Sequence, residues 1–339
     1  MENFPYSRVL FDKAALDFEL GRKVWQRCHV LGLESSVLKG TRVSGIPGKS
    51  PRETYFQGKA TLVVSVRRKP EFATCKPSAH FQLPLVSGCP GMCEYCYLMT
   101  QMGQRPYTRM YVNIEDILAQ AANAIQARLP AVTLFEAAAT SDPVPAETLS
   151  GALARSIEFF SAQPNGRLRF VTKFPSINSL LGLEHRGHTR IRFSVNIPSV
   201  ISRFEHRTPE LKLRLEALGK VVRAGYPAGI LIAPVIMEPA WEDSYRELLD
   251  EISGLGLKDV DMKFEIISHR FTIRARNRIM EVFPESRLPL DENHSRQFKF
   301  GQFGYGKYVY DKGSLAAMKS FFEEEIAERF PGDVIEYII

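Results

Sequence analysis

From Leu83 onward the chain alternates short apolar runs with stretches in which apolar residues recur every three or four positions. That alternation is the mark of repeated strand–helix units and a parallel sheet. The runs predict strands at 83–87, 132–138, 168–173, 191–196, 229–235 and 262–267. Between them Ile114, Ile117, Leu118, Ala121 and Ile125 fall on one helix face, with Asn113 as the expected N-cap. Leu149, Leu153, Ile157 and Phe160 repeat the spacing, as do Leu211, Leu215, Leu218 and Val222, and then Tyr245, Leu248, Leu249 and Ile252. All of these are read as core.

Six units in succession predict an α/β fold, an incomplete (β/α)6 barrel of the TIM type with functional groups at the C-terminal ends of its strands. An open doubly wound sheet has the same periodicity and stands as the rival. Ahead of the barrel lies an irregular N-terminal segment whose best strand is 61–66, followed by Arg67, Arg68 and Lys69. After Phe283 the pattern gives way to F-K-F-G-Q-F-G-Y-G-K-Y-V-Y, read as a β-hairpin over 298–310, and then to a terminal helix from about Ser314. The expected organisation is an N-terminal segment 1–80 packed on a barrel 81–285, with the hairpin and helix in 286–339.

Composition changes this picture little. A chain of 339 residues, 45% hydrophobic and 24% charged, buries a substantial core and is ordinary for a soluble protein. The start, M-E-N-F-P-Y-S-R, has no basic stretch leading into an apolar one, and the longest apolar run, 228–237, is short and broken by Pro234. Neither a secretory signal nor a membrane span is expected, and the protein is read as cytoplasmic. A formal charge of +6 and a pI near 9.0 are compatible with a polyanionic partner but favour DNA only weakly. Five cysteines, three of them clustered, fit a reduced compartment better than a disulfide framework.

The cluster is C-P-G-M-C-E-Y-C-Y, residues 89 to 97, just after the first predicted strand. Its spacing is Cys-x3-Cys-x2-Cys. Structural zinc and iron–sulfur cubanes commonly take four protein ligands. Three thiolates on one loop leave a corner of the metal site open. A zinc site completed by a distant His or by Cys75, or a chance clustering of buried thiols, are the alternatives.

The spacing resembles the defining motif of the radical S-adenosylmethionine superfamily, with Tyr95 as the aromatic residue before the last cysteine. More narrowly, G-I-P-G, K-P-S-A, C-E-Y-C-Y-L, F-E-A-A-A-T-S-D, G-R-L-R-F-V-T-K, R-F-S-V-N, S-H-R-F-T and Y-G-K-Y-V-Y are similar, in order, to segments of the spore photoproduct lyase family. The resemblance runs from about Gly45 to the C-terminal helix. It implies a partial barrel of the radical enzyme type and a [4Fe-4S] cluster on Cys89, Cys93 and Cys96, with S-adenosylmethionine at the open iron. It also implies repair of the methyl-bridged thymine dimer in double-stranded DNA by way of a deoxyadenosyl radical, and an electron donor such as flavodoxin or ferredoxin. Ser141, Lys173 and Ser194 match family residues near the cofactor, Tyr95 one packed by the adenosine, and Tyr97 one that relays the hydrogen atom.

One position departs from the family. Where its segment reads F-E-A-A-C-T-S-D, with a cysteine that returns hydrogen to the thymine radical, this chain has Ala139. Alanine has no weak S–H bond, so the final hydrogen return is expected to be impaired or rerouted. Cys75 is a candidate substitute donor whose default reading is an incidental buried thiol. The rival functions are a related radical enzyme with another substrate and a noncatalytic, zinc-containing DNA-binding protein.

For DNA contact, Arg296, Lys299, Lys307 and Lys312 are interleaved with Phe298, Phe300, Phe303, Tyr305, Tyr308 and Tyr310. The basic groups suit phosphates, and the tip suits a wedge beside the lesion. Arg270 is a secondary candidate. G-I-P-G-K-S at residues 45 to 50 lacks the four-residue gap of a phosphate loop and is set aside.

Overall fold

The computed structural model describes residues 4–40, 43, 45–69, 71–103, 106–257, 260–293, 295–300, 306–332 and 334–339. The six barrel strands are Ala79–Gln82, Thr133–Glu136, Gly166–Thr172, Thr189–Val195, Ala228–Val235 and Met262–Ser268, side by side and parallel in chain order. Thr74–Cys75 adds an antiparallel strand at one edge, and Ile335–Ile338 a parallel one at the other. The result is a curled eight-stranded sheet, the partial barrel expected.

The first barrel strand is Ala79–Gln82, earlier than the predicted 83–87. Of that predicted run only Val86–Ser87 is a strand, and it pairs antiparallel with Thr108–Tyr111 in a second sheet. This second sheet, ordered Glu34–Val37, Arg8–Phe11, Thr61–Ser65, Thr108–Tyr111, Val86–Ser87, replaces the irregular N-terminal segment of the sequence reading. Of its strands the sequence reading had Thr61–Ser65, as 61–66; periodicity missed the others because they are short and separated by unlike connections.

Helix faces follow the pattern closely. Ile114–Gln126 buries Ile114, Ile117, Leu118, Ala121 and Ile125. Asn113 stands at its N-cap position but spends its side chain on the backbone of Arg67, with Nδ2 also donating to Asp116. The single helix read through Leu149 to Phe160 is two, Val144–Ser150 and Ala152–Ser161, broken at Gly151 with φ +65°. Buried Glu147 takes up the exposed N–H groups of Leu153 and Ala154 at 2.8 and 3.0 Å, which starts the second helix. Among the described residues no helix is long and apolar enough to cross a membrane.

Helix Pro51–Lys59 begins with a reciprocal cap, the Ser50 hydroxyl accepting from Glu53 N–H and the Glu53 carboxylate from Lys49 N–H. That pair of bonds fixes where the helix starts, and so where its last turn ends.

Candidate functional site

The cysteine loop is stitched to both sheets. Gly88, at φ +82°, bridges Ser141, its N–H donating to Thr140 O at 2.9 Å. Met92–Cys93 pairs antiparallel with Glu205–His206, and Glu94 N–H donates to Phe204 O at 2.9 Å. The Glu94 carboxylate, buried, holds His206 Nε2 at 2.7 Å and the Ser286 hydroxyl. From the N-terminal side, Lys59 Nζ donates to Cys89 O at 2.8 Å.

Cys89, Cys93 and Cys96 are free thiols on this one loop. Burial pushes the thiols of Cys89 and Cys93 far up, so without a metal both are protonated at neutral pH. Among the described residues, no three His, Cys, Asp or Glu side chains close on a single metal ion. A polynuclear cluster asks for something else, since each thiolate binds a different iron. One further observation fits such a group: the hydroxyl of Tyr55 is buried with no hydrogen-bond partner, within electrostatic reach of all three cysteines. The donor set and this orphaned hydroxyl suit a [4Fe-4S] cluster.

Tyr95, Lys173 and Ser194 meet at one point. Lys173 Nζ donates to Ser194 Oγ at 3.0 Å and to Tyr95 OH at 3.3 Å. A third bond, to Glu205 Oε1 at 2.9 Å, brings in a residue that the sequence reading missed. Glu205 also accepts from Tyr95 OH and from Arg214, whose Nη2 lies 2.6 Å from Oε2. Burial opposes ionisation of Glu205, but the charges of Lys173 and Arg214 outweigh it and hold the carboxyl at about 2. Its sequence signal was weak, a lone acidic residue beyond a short helix.

Ser141 stands apart from that group, its hydroxyl donating to Ala137 O at 3.2 Å. Its neighbour Asp142 accepts from Thr172 Oγ1 and from Lys173 N–H, both at 3.0 Å. Burial pushes Asp142 up to about 6 despite those bonds.

Across the mouth, half-exposed Tyr97 donates its hydroxyl to the carbonyl of Ala139. Cys75 lies close enough for its thiolate to act on the Tyr97 phenol, and Glu136 is close to both. Glu136 belongs to a buried ionic floor with Arg169, Arg192 and Glu265, all nearly closed to solvent. From that floor its two oxygens reach up to Ala138 N–H at 3.0 Å and to Ser78 Oγ at 2.9 Å. The carboxylate thus ties the turn carrying Ala139 to the segment just after Cys75.

The hairpin forms as read, Arg296–Phe300 against Gly306–Tyr310. Lys299 and Lys307 are directly opposed across it, and Phe298 and Phe300 are exposed. Arg270 lies near enough to Lys307 to depress that ammonium further, after burial. Arg296 is placed differently from a surface phosphate contact: it is buried, 3.7 Å above the Tyr310 ring, donating to His269 O at 2.7 Å. Tyr305 lies outside the described residues.

The family model for spore photoproduct lyase matches residues 4–339. The chain is 48% identical to a spore photoproduct lyase of Clostridium acetobutylicum over the full length of both. A solved spore photoproduct lyase complexed with dinucleoside spore photoproduct superposes with a TM-score of 0.95 at 41% identity, covering 100% of each chain. A second solved structure, at 0.94 and 41% over 98% of this chain and 99% of the other, holds AdoMet and dinucleoside spore photoproduct in a double variant. In it one cysteine is replaced by alanine and one serine by cysteine.

Proposed function

This chain belongs to the spore photoproduct lyase family, and from that premise we propose how its own residues divide the work. The protein is a DNA repair lyase acting on spore photoproduct with S-adenosylmethionine. In our reading Cys89, Cys93 and Cys96 hold a [4Fe-4S] cluster. When bound and reduced, that cluster supplies the electron that splits S-adenosylmethionine to give the deoxyadenosyl radical.

Around it the chain binds and orients. Lys173 and Ser194 offer an ammonium and a hydroxyl to the carboxylate or ribose oxygens of S-adenosylmethionine, with Tyr95 beside them and Ser141 on the neighbouring strand end. Glu205, itself held by Arg214, aims Lys173. A flavodoxin or ferredoxin delivers the electron. Lys299, Lys307 and Arg270 meet DNA phosphates; Arg296 supports the hairpin from within.

The hydrogen return runs through Cys75. In the solved double variant, the introduced cysteine and the introduced alanine stand the same number of residues apart as Cys75 and Ala139 stand here. That correspondence carries the reading. The thymine radical would take the hydrogen atom of the Cys75 S–H bond and the sulfur radical that of the Tyr97 hydroxyl; the phenoxyl radical would be refilled from the methyl group of 5'-deoxyadenosine, and re-formation of S-adenosylmethionine would hand the electron back, so that the repair closes without net redox change.

The test is anaerobic incubation of the reconstituted, reduced protein with S-adenosylmethionine and DNA carrying the methyl-bridged dimer. Release of intact thymine is expected. Absence of turnover on that lesion, from protein with a reducible cluster, would remove the assignment.

A further inference from the structure

Two buried polar groups on the N-terminal side face the cysteine loop and lack the partners that burial demands. Tyr55 and Lys59 lie one turn apart on helix Pro51–Lys59, at 0% and 1% exposure. The Tyr55 hydroxyl has no hydrogen-bond partner, and the Lys59 ammonium has no carboxylate within ion-pair distance among the described residues. A buried cation without a countercharge costs several kcal/mol. Lys59 gains only one hydrogen bond, to Cys89 O, and the face of the Tyr55 ring at 5.4 Å.

The negative charge that both lack is that of the three thiolates. The Lys59 ammonium is bonded to the backbone oxygen of Cys89, and the Tyr55 hydroxyl lies within electrostatic reach of Cys96, Cys93 and Cys89. Gly58, on the same helix turn, lets that turn pack tightly on Pro106, where a Cβ would stand 2.5 Å from Cγ.

We propose that Tyr55 and Lys59 form the far wall of the cluster site and raise the cluster's reduction potential. The proposal rests on the cluster reading given above. A nearby cation and an unpartnered hydroxyl beside the sulfurs both stabilise the more negative, reduced state.

The test compares parent, Tyr55→Phe, Lys59→Gln and Lys59→Arg proteins, each as apoprotein in thermal melts and as reconstituted protein in redox titration followed by electron paramagnetic resonance. Lys59→Gln should lower the reduced-to-oxidised ratio at fixed potential at least tenfold, a shift of about 59 mV for one electron. Tyr55→Phe should shift it in the same direction by less, and Lys59→Arg should restore it. Apoprotein melting should stay level or rise, because an unmatched buried group has been removed. Midpoints equal to the parent's would overturn the proposal. So would a fall in apoprotein melting or a failure to fold, since either assigns the two groups to the protein rather than to the cluster. A parent that takes up no cluster would sink the cluster reading instead.

Discussion

The hydroxyl of Tyr97 donates to the carbonyl oxygen of Ala139. The tyrosine is therefore moored on the backbone of the residue that stands where the family carries its hydrogen-donating cysteine. Any side chain would leave that bond intact, so losing the thiol here leaves the mooring of the phenol unchanged. Tyr97→Phe should cost stability less than about 1.5 kcal/mol, the worth of one exposed hydrogen bond. Turnover should fall and trapped adducts should rise, as read by chromatography of the products.

Cys75→Ala removes the thiol assigned to the hydrogen return. Lesion consumption should continue while intact thymine gives way to adducts, and Ala139→Cys in the same protein should bring thymine back. Burial, helped by Glu136, pushes the Cys75 thiol up to about 11. It keeps its S–H bond throughout the neutral range, and the thymine yield of the parent should be flat from about pH 6.5 to 9 as far as this group decides it.

Glu205 neutralises two cations, one of them the fully buried Arg214. Glu205→Gln should cost about 3–5 kcal/mol, because it leaves charge buried without its partner. The native carboxyl is held at about 2, below its ordinary 4.5. Its contribution is complete above about pH 4.5 and is lost as pH falls toward 2. The melting difference between parent and variant should therefore be widest at neutral pH and close across that acid window.

Lys173→Met and Ser194→Ala should each weaken S-adenosylmethionine binding, the lysine more. A charged hydrogen bond lost at a partly buried site corresponds to about tenfold to a hundredfold in affinity. Calorimetry on anaerobic protein reads the constant directly, and unchanged binding by both variants would place the cofactor elsewhere.

Lys299→Ala and Lys307→Ala should weaken DNA binding and flatten its salt dependence, each by up to about one unit of slope. Arg296→Ala should behave otherwise, lowering the melting temperature through loss of the stacked guanidinium on Tyr310. Binding titrations at several salt concentrations, run beside melts, separate the two outcomes.

Five of the six barrel strands and the buried faces of the helices could be read from periodicity, because apolar residues at a regular spacing have one physical use; the first, Ala79–Gln82, lies ahead of the run 83–87 that periodicity marks. The Cys-x3-Cys-x2-Cys loop could be read from chemistry. Glu205, Arg214 and Glu136 could not, since each acts through charged partners 9 to 56 residues away that only the closed sheet brings within reach. Arg296 misled for the complementary reason. A basic residue among aromatics looks like a phosphate contact until the register Arg296↔Tyr310 turns it inward. Tyr55 and Lys59 gave no signal, as nothing in P-R-E-T-Y-F-Q-G-K foretells which of its polar groups will be left unmatched.

Val86–Ser87 and Thr108–Tyr111, neighbours in the N-terminal sheet, bracket the cysteine loop in sequence, while Gly88 and Cys93 within the bracket pair with Ser141 and Glu205, in connections that follow barrel strands. The loop is thus a seam sewn from one cloth into the other and back. A barrel trimmed of its first eighty residues would keep all three thiols yet lose Arg8–Phe11 and Thr61–Ser65, the strands against which the return stitch is pulled tight. Shortened forms of this protein should therefore lose the shape of the three-thiol loop while the helices beyond residue 80 still form.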